Sequence, residues 1–350
     1  MTRAPGSLVS GLRLVEVWGT VASGHALSVV FRAVRMLVLG GTAFVGRAIV
    51  EDAVRTGAEV TLFGRGRTGS DLFPGLTRLI GDRDTGDYAA LGSGYWDAVV
   101  DVSGYLPRHV GQAMDALDGR AGRYLFISSH AVYQHEGVGP GSTEETPRRR
   151  PVRDTEDLRS YGPLKVACED DVVARYGSRA TIVRPGKVAG PHDWQDGLTY
   201  WVRRAGRGGR VALPGAPQQP VQVIDVRDLA RLVVQLLSDD RPGVFHAVGP
   251  ANPVTLGGLI ETCARAAGTT VEIVPVPPGT APLFFPLIKS NWPSQQRSPA
   301  RARAAGMPAT PLEATVADVL AWDRQRGEPP LTTGFTEEQE LTVLTQHAKA

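Results

Sequence analysis

The chain has 350 residues, enough to bury a full core as one large domain or two interlocked ones. Its 38 basic and 36 acidic side chains leave a net charge of +2, too little to single out nucleic acid or a membrane surface as a partner. Cys168 and Cys263 are its only cysteines, which excludes a disulfide scaffold and a cysteine-based metal cluster, and no apolar run is long enough to span a bilayer. The expectation is therefore a cytoplasmic monomer or homodimer acting on a small molecule, with no metal. The cations are nearly all arginine: lysine occurs only at 165, 187, 289 and 349.

Residues 1–35 carry Arg3, Arg13, Arg32 and Arg35 against one acidic residue, Glu16, and lack a clean hydrophobic core. They read as a dispensable extension, with a targeting peptide as the alternative. The first convincing strand starts at Met36 and runs through Leu39 into Gly40-Gly41-Thr42-Ala43-Phe44-Val45-Gly46. Val45, Ala48, Ile49 and Ala53 then share one helix face, and Gly57 stops it. This is strand, tight turn, helix. The glycines let the backbone approach a pyrophosphate, whose charge sits at a helix N-terminus. Ala43 stands where a dinucleotide fingerprint carries its middle glycine.

Further strands are expected at 59–63, 79–80, 96–101, 123–129 and 180–186, with helical patterns between most of them. Alternating β and α units with apolar strands indicate an α/β fold built on a doubly wound parallel sheet. Residues 36–186 and 222–248 form the dinucleotide-binding (Rossmann) domain in this reading. Residues 187–221 and 249–335 form a smaller, irregular substrate lobe that includes a short helix over 256–267. A tail occupies 336–350.

Tyr161 and Lys165 stand on one face of a helix that must begin near Ser160, because Pro163 is tolerable only in a first turn. An ammonium beside a phenol lowers its pKa from about 10 and makes it a proton donor and acceptor near neutrality. Ser129, at a strand end, is placed to hydrogen-bond a substrate carbonyl or alkoxide. Ligands of such sheets bind beyond the C-terminal strand ends, which is where these residues and the Gly40 turn belong.

Taken together, the motifs G-G-T-A-F-V-G (40–46), I-S-S-H-A-V-Y (127–133), Y-G-P-L-K (161–165), R-P-G-K-V-A-G-P (184–191) and V-I-D-V-R-D-L-A (223–230), with the Asp82 region, carry a resemblance. The chain resembles the extended short-chain dehydrogenase/reductase superfamily, in its NAD-dependent epimerase/dehydratase branch. The resemblance makes Tyr161 the catalytic acid/base, and Lys165 the residue that binds the nicotinamide ribose and lowers the tyrosine pKa. Ser129 orients the reacting oxygen, with Ser128 as runner-up. It also implies that Gly40, Thr42, Ala43, Phe44, Val45 and Gly46 hold the pyrophosphate, that Asp82 contacts the adenine and that Arg65 and Arg67 flank the adenosine ribose. Ser103 touches the cofactor backbone, Pro185 passes beside the carboxamide, and Lys187 faces the substrate. His130 and His192, with His135, fall on loops bordering that pocket.

Departures from the family pattern narrow the function. Gly64 replaces the carboxylate that holds a ribose diol, and Arg65 and Arg67 suit a 2′-phosphate; NADP(H) is expected to be preferred, with NAD(H) possible. His130-Ala131 replaces the acidic pair of the dehydratases. Pro220-Val221-Gln222 replaces the arginine that grips a sugar-nucleotide diphosphate. The leading expectation is an NAD(P)(H)-dependent oxidoreductase that reduces a ketone or oxidises a secondary alcohol on a small polar metabolite. The alternatives are an epimerase with retained NAD and a non-catalytic nucleotide- or RNA-binding member of the fold.

Overall fold

A computed structural model describes residues 33–134, 136–282 and 285–347. The extension proposed for 1–35 lies outside them up to residue 32, as does His135.

The first stretch of chain runs β1 (Arg35–Leu39), α1 (Phe44–Arg55), β2 (Glu59–Gly64), β3 (Thr77–Ile80), β4 (Trp96–Asp101), α2 (Pro107–Leu117), β5 (Ala121–Ile127), α3 (Tyr161–Tyr176) and β6 (Ala180–Pro185). The rest runs β7 (Lys187–Ala189), α4 (Gly197–Gly206), β8 (Gly209–Pro214), β9 (Pro220–Val221), β10 (Val223–Asp225), α5 (Val226–Ser238), β11 (Gly243–Ala247), β12 (Val254–Thr255), α6 (Leu256–Ala267), β13 (Val271–Val276), α7 (Ala300–Ala304), α8 (Leu312–Gln325) and α9 (Glu337–Gln346).

Seven strands form one sheet in the order β11-β6-β5-β4-β1-β2-β3, the doubly wound α/β architecture expected from the sequence. β1 lies between β2 and β4 and is parallel to both. Strand order therefore reverses at β1, and the C-terminal ends of β1 and β4 border the switch point where such sheets bind ligands. β1 occupies this central place because Met36 to Leu39 are apolar on both faces and fully covered. α1 buries Ile49, Val50 and Ala53 and ends where Gly57 takes a left-handed φ of +85°.

The chain divides into two compact units. The first holds the described residues up to Ile127, Pro151–Ile182 and Val233–Val244. Its core includes Leu37, Phe63, Val99, Tyr124, Phe126, Cys168 and Ile182. The second holds Ser128–Arg150, Val183–Leu232 and the described residues from Phe245 on. It is centred on Trp201, Leu213, Leu259, Val316 and Phe335. α9, in the segment read as a tail, places Val343 and Leu344 in this second core. Its buried Glu340 accepts hydrogen bonds from Arg204 Nε and from the Ala212 amide (3.0 Å).

The fifth strand starts and stops two residues earlier than 123–129. Ser129 ends it by accepting a hydrogen bond from the Ala131 amide (3.1 Å), which turns the chain into a short 3-10 helix over His130–Val132. β11 was not among the expected strands. It is short, opens on Gly243 directly after Pro242 and contains a histidine, so its pattern is weak outside the sheet that receives it.

Candidate functional site

The Gly40 turn follows from sterics. Gly40 has φ +91°, and a Cβ there would lie 2.8 Å from the Ser103 side chain. A Cβ on Gly46 would sit 2.0 Å from the Gly40 carbonyl oxygen, so the helix start closes on the turn only without a side chain. Ala43 is extended (φ −129°, ψ 141°), which any residue adopts, so the missing glycine costs the turn nothing. The left-handed position is Phe44 (φ +30°). As N-cap, Ala43 offers no side-chain acceptor to α1. The N–H groups of this first turn thus suit an outside anion, and the cradle fits a pyrophosphate. Thr42, Ala43 and Val45 line the same turn and are at least partly open to solvent.

Beneath the turn lies a polar network in the first unit. Asp101, at the end of β4, is completely buried. Arg83 grips it bidentately (Nη1–Oδ1 2.9 Å, Nη2–Oδ2 2.7 Å). Tyr124 Oη donates to Asp101 Oδ2 (2.7 Å), and the Ser103 amide donates to Oδ1 (3.2 Å). Ser103 Oγ donates to the Leu39 carbonyl (3.2 Å) and lies 3.2 Å from Arg83 Nη1. These donors hold the Asp101 carboxyl below its usual pKa against the cost of burial. Arg83, Asp101 and Tyr124 were not singled out from the sequence. The available signal was a carboxylate closing an apolar strand, since a buried charge must find a partner.

α3 starts at Tyr161 with Ser160 as its N-cap, so Pro163 falls in the first turn, where its missing N–H is harmless. Lys165 is 2% exposed, and its Nζ donates to the carbonyls of Gly104 (2.8 Å) and Ile127 (2.7 Å). It also lies 3.9 Å from the Phe126 ring centroid. Burial pushes its pKa down to about 8. Tyr161 is half-buried, and its ring centroid lies 6.3 Å from that of Tyr105, an exposed neighbour of Gly104.

At the end of β2, a Cβ on Gly64 would meet open space. Arg65 faces Asp84 (3.5 Å), and Arg67 lies 4.0 Å from Asp82. Both arginines are largely exposed. Exposed pairs of this kind hold their partners weakly, by about 0–1 kcal/mol.

The remaining candidates lie in the second unit. Ser129 and His130 are half-buried, and Ser128 Oγ is buried without a hydrogen-bond partner. Pro185 is buried. Gly186, which follows it, is tied to the Ala247 carbonyl (3.0 Å), and a Cβ on it would lie 3.9 Å from His130 Nδ1. Lys187 Nζ donates to Gln195 Oε1 (3.0 Å) and faces Asp193 (3.4 Å). His192 packs edge-on against Trp322, with centroids 5.5 Å apart.

The second unit also buries a cluster around Tyr133. Arg184 Nη1 donates to Tyr133 Oη (2.6 Å), and the Arg297 guanidinium covers the ring at 4.1 Å. His246 Nδ1 lies 3.1 Å from the Ser298 carbonyl, which places the proton on Nδ1 and leaves Nε2 to accept from Tyr133 Oη. Burial beside two arginines pushes the His246 pKa down to about 4. The unfolded chain, at about 6.5, then binds the extra proton, so this histidine's stabilisation is complete above pH 6.5 and is lost as pH falls toward 4. The melting temperature is expected to drop already between pH 6.5 and 5, before most carboxylates titrate. His246→Gln should flatten that part of the curve, and an unchanged slope would place the acid sensitivity elsewhere.

Among the described residues, no group of three or more His, Cys, Asp or Glu could hold a metal, and no helix is long and apolar enough to cross a membrane.

Known proteins resemble this chain in fold and, over part of its length, in sequence. Residues 97–247 match the model of the NAD dependent epimerase/dehydratase family. The chain is 26% identical over 251 residues to a chloroplast stem-loop binding protein of 41 kDa from Arabidopsis thaliana, covering 67% of this chain and 63% of that one. It is 26% identical over 329 residues to a dTDP-6-deoxy-L-talose 4-dehydrogenase (NAD(P)(+)) from Kitasatospora kifunensis, covering 84% and 96%. The solved structure of Bordetella bronchiseptica WbmH in complex with NAD+ superposes with a TM-score of 0.64 at 22% identity, covering 84% and 99%. Residues 97–247 thus resemble the NAD-dependent epimerase/dehydratase family, and the chain shares the fold of WbmH.

Proposed function

We propose that this protein is a nicotinamide-dinucleotide-dependent oxidoreductase that interconverts a ketone and a secondary alcohol on a small polar metabolite. The observation that carries the reading is α3, with Tyr161 opening the helix and Lys165 one turn on, buried and held by the Gly104 and Ile127 carbonyls. The bound dinucleotide supplies hydride transfer. Tyr161 transfers the proton, Lys165 holds the ribose and lowers the tyrosine pKa, and Ser129 orients the reacting oxygen. Pro185, Lys187, His130 and His192 line the way to the substrate in this reading. The Kitasatospora dehydrogenase lends it support. The test is a panel of ketones and secondary alcohols, followed by nicotinamide absorbance with each cofactor.

The proposed cofactor preference is NADP(H) over NAD(H). Gly64 has no carboxylate for a ribose diol, and Arg65 and Arg67, held only loosely by Asp84 and Asp82, can serve as bidentate partners for a 2′-phosphate. NADPH should bind more tightly than NADH in a fluorescence titration, with a difference that shrinks as salt rises. Replacing Arg65 and Arg67 by alanine should narrow it. Equal affinities in the unmodified protein would assign the arginines to Asp84 and Asp82.

A second reading, an epimerase with retained cofactor, is favoured by the match of residues 97–247 to the epimerase/dehydratase family. Copurified, slowly exchanging NAD would select it. The Arabidopsis relative raises a third, in which the chain binds RNA. Stem-loop RNA binding without any dinucleotide binding would replace both.

A further inference from the structure

We propose that Asp101 is a positioning residue of this site: its carboxylate, locked by Arg83, anchors Ser103 and stands behind Gly104 as the counter-charge for the Lys165 ammonium that Gly104 binds. The inference rests on the reading of Lys165 as the ribose-binding lysine and adds a residue to which no role was given above.

The geometry is continuous within the first unit. Asp101 is fully buried and receives Arg83 at two points, Tyr124 Oη and the Ser103 amide. Its Oδ2 would lie 3.1 Å from a Cβ on Gly104, so the carboxylate is directly behind that residue. The Gly104 carbonyl accepts from Lys165 Nζ (2.8 Å). Ser103 Oγ bonds the Leu39 carbonyl and its side chain fills the space against Gly40. One carboxylate thus ties the end of β4 to the Gly40 turn, to the segment carrying Asp82 and to Lys165.

This arrangement is more than the seat of a structural ion pair. A structural pair needs only its own partners, and Arg83 already satisfies both oxygens of Asp101. Lys165, however, has only neutral carbonyls as hydrogen-bond partners, and its charge must be balanced by longer-range attraction. The charged and titratable groups that act on it include Asp101 and Arg83, Cys168 and Glu169 on its own helix, and Tyr161 one turn before it; the rings of Tyr105 and Phe126 pack beside it. Burial holds the Cys168 thiol neutral, with its pKa raised to about 12. Asp101 and Glu169 are then the anions that favour the ammonium, and Arg83 opposes it. A lysine is retained here in a chain that uses arginine almost everywhere else. An ammonium can titrate when buried, whereas a guanidinium stays charged.

The test uses the small number of lysines. In full-length protein labelled at lysine ε-13C, the Lys165 signal, assigned by its loss in Lys165→Met, can be followed through pH by NMR without any cofactor. The signal should titrate near pH 8 in the unmodified protein. Asp101→Asn should move it toward acid by about one pH unit, since the favourable charge is lost while Arg83 remains. Arg83→Met/Asp101→Asn removes both charges, is expected to fold even if the single variant does not, and should show a smaller acid shift. NADH or NADPH affinity, measured by fluorescence over the same range, should begin to fall at correspondingly lower pH in both variants. A Lys165 titration unchanged in either folded variant would overturn the proposal and leave Asp101 a packing residue. If the unmodified protein binds no dinucleotide, the oxidoreductase reading fails, while the NMR comparison still decides the charge relation.

Discussion

Tyr161→Phe is expected to lower turnover by about 10²–10⁴-fold, the range that general acid–base catalysis contributes. The substitution keeps the ring at the start of α3 and its packing near Tyr105, and removes only the hydroxyl. Cofactor affinity and melting temperature should therefore stay unchanged, so the whole loss falls on kcat. Lys165→Met gives the contrasting result. It removes a buried ammonium bonded to two carbonyls, and should weaken dinucleotide binding as well as turnover. A Tyr161→Phe enzyme that keeps most of its activity would falsify the assignment of the proton to this phenol.

Gly46→Ala is expected to lose dinucleotide binding and to cost about 3 kcal/mol or more of stability, in the tail of single-substitution effects. The added methyl would sit 2.0 Å from the Gly40 carbonyl oxygen and 3.1 Å from the Gly41 Cα. Backbone on both sides must move, and no flexible side chain can absorb the clash. A fall in melting temperature on the order of 5–10 °C is expected. Ala43→Gly is the control, because Ala43 is extended and its Cβ is tolerated. That variant should bind cofactor as the unmodified chain does. A Gly46→Ala protein of normal stability and affinity would show that α1 can draw back from the turn.

The sequence by itself determined the elements whose physics is local. The apolar run 36–39 with Gly40 and Gly46 could only be a buried strand turning sharply into a helix, since those glycines answer a steric demand of adjacent backbone. Pro163 required α3 to begin near Ser160, because proline is harmless only in a first turn, and the helix starts at Tyr161. The helix at Leu256–Ala267 was legible from its periodicity, and is closed by Thr255 Oγ1 at one end and Gly268 at the other. Tertiary structure decided what depends on groups distant in the chain. β11 exists because the sheet edge receives it, not because Gly243–Ala247 demands it. Ser129 left its strand when its own hydroxyl found the Ala131 amide. Arg65 and Arg67 met Asp84 and Asp82, partners that motif spacing does not reveal. Asp101 in sequence is merely the last residue of a strand. Its burial against Arg83, Tyr124 and Ser103 gives it a role, because a charge removed from water is defined by the partners that folding brings to it.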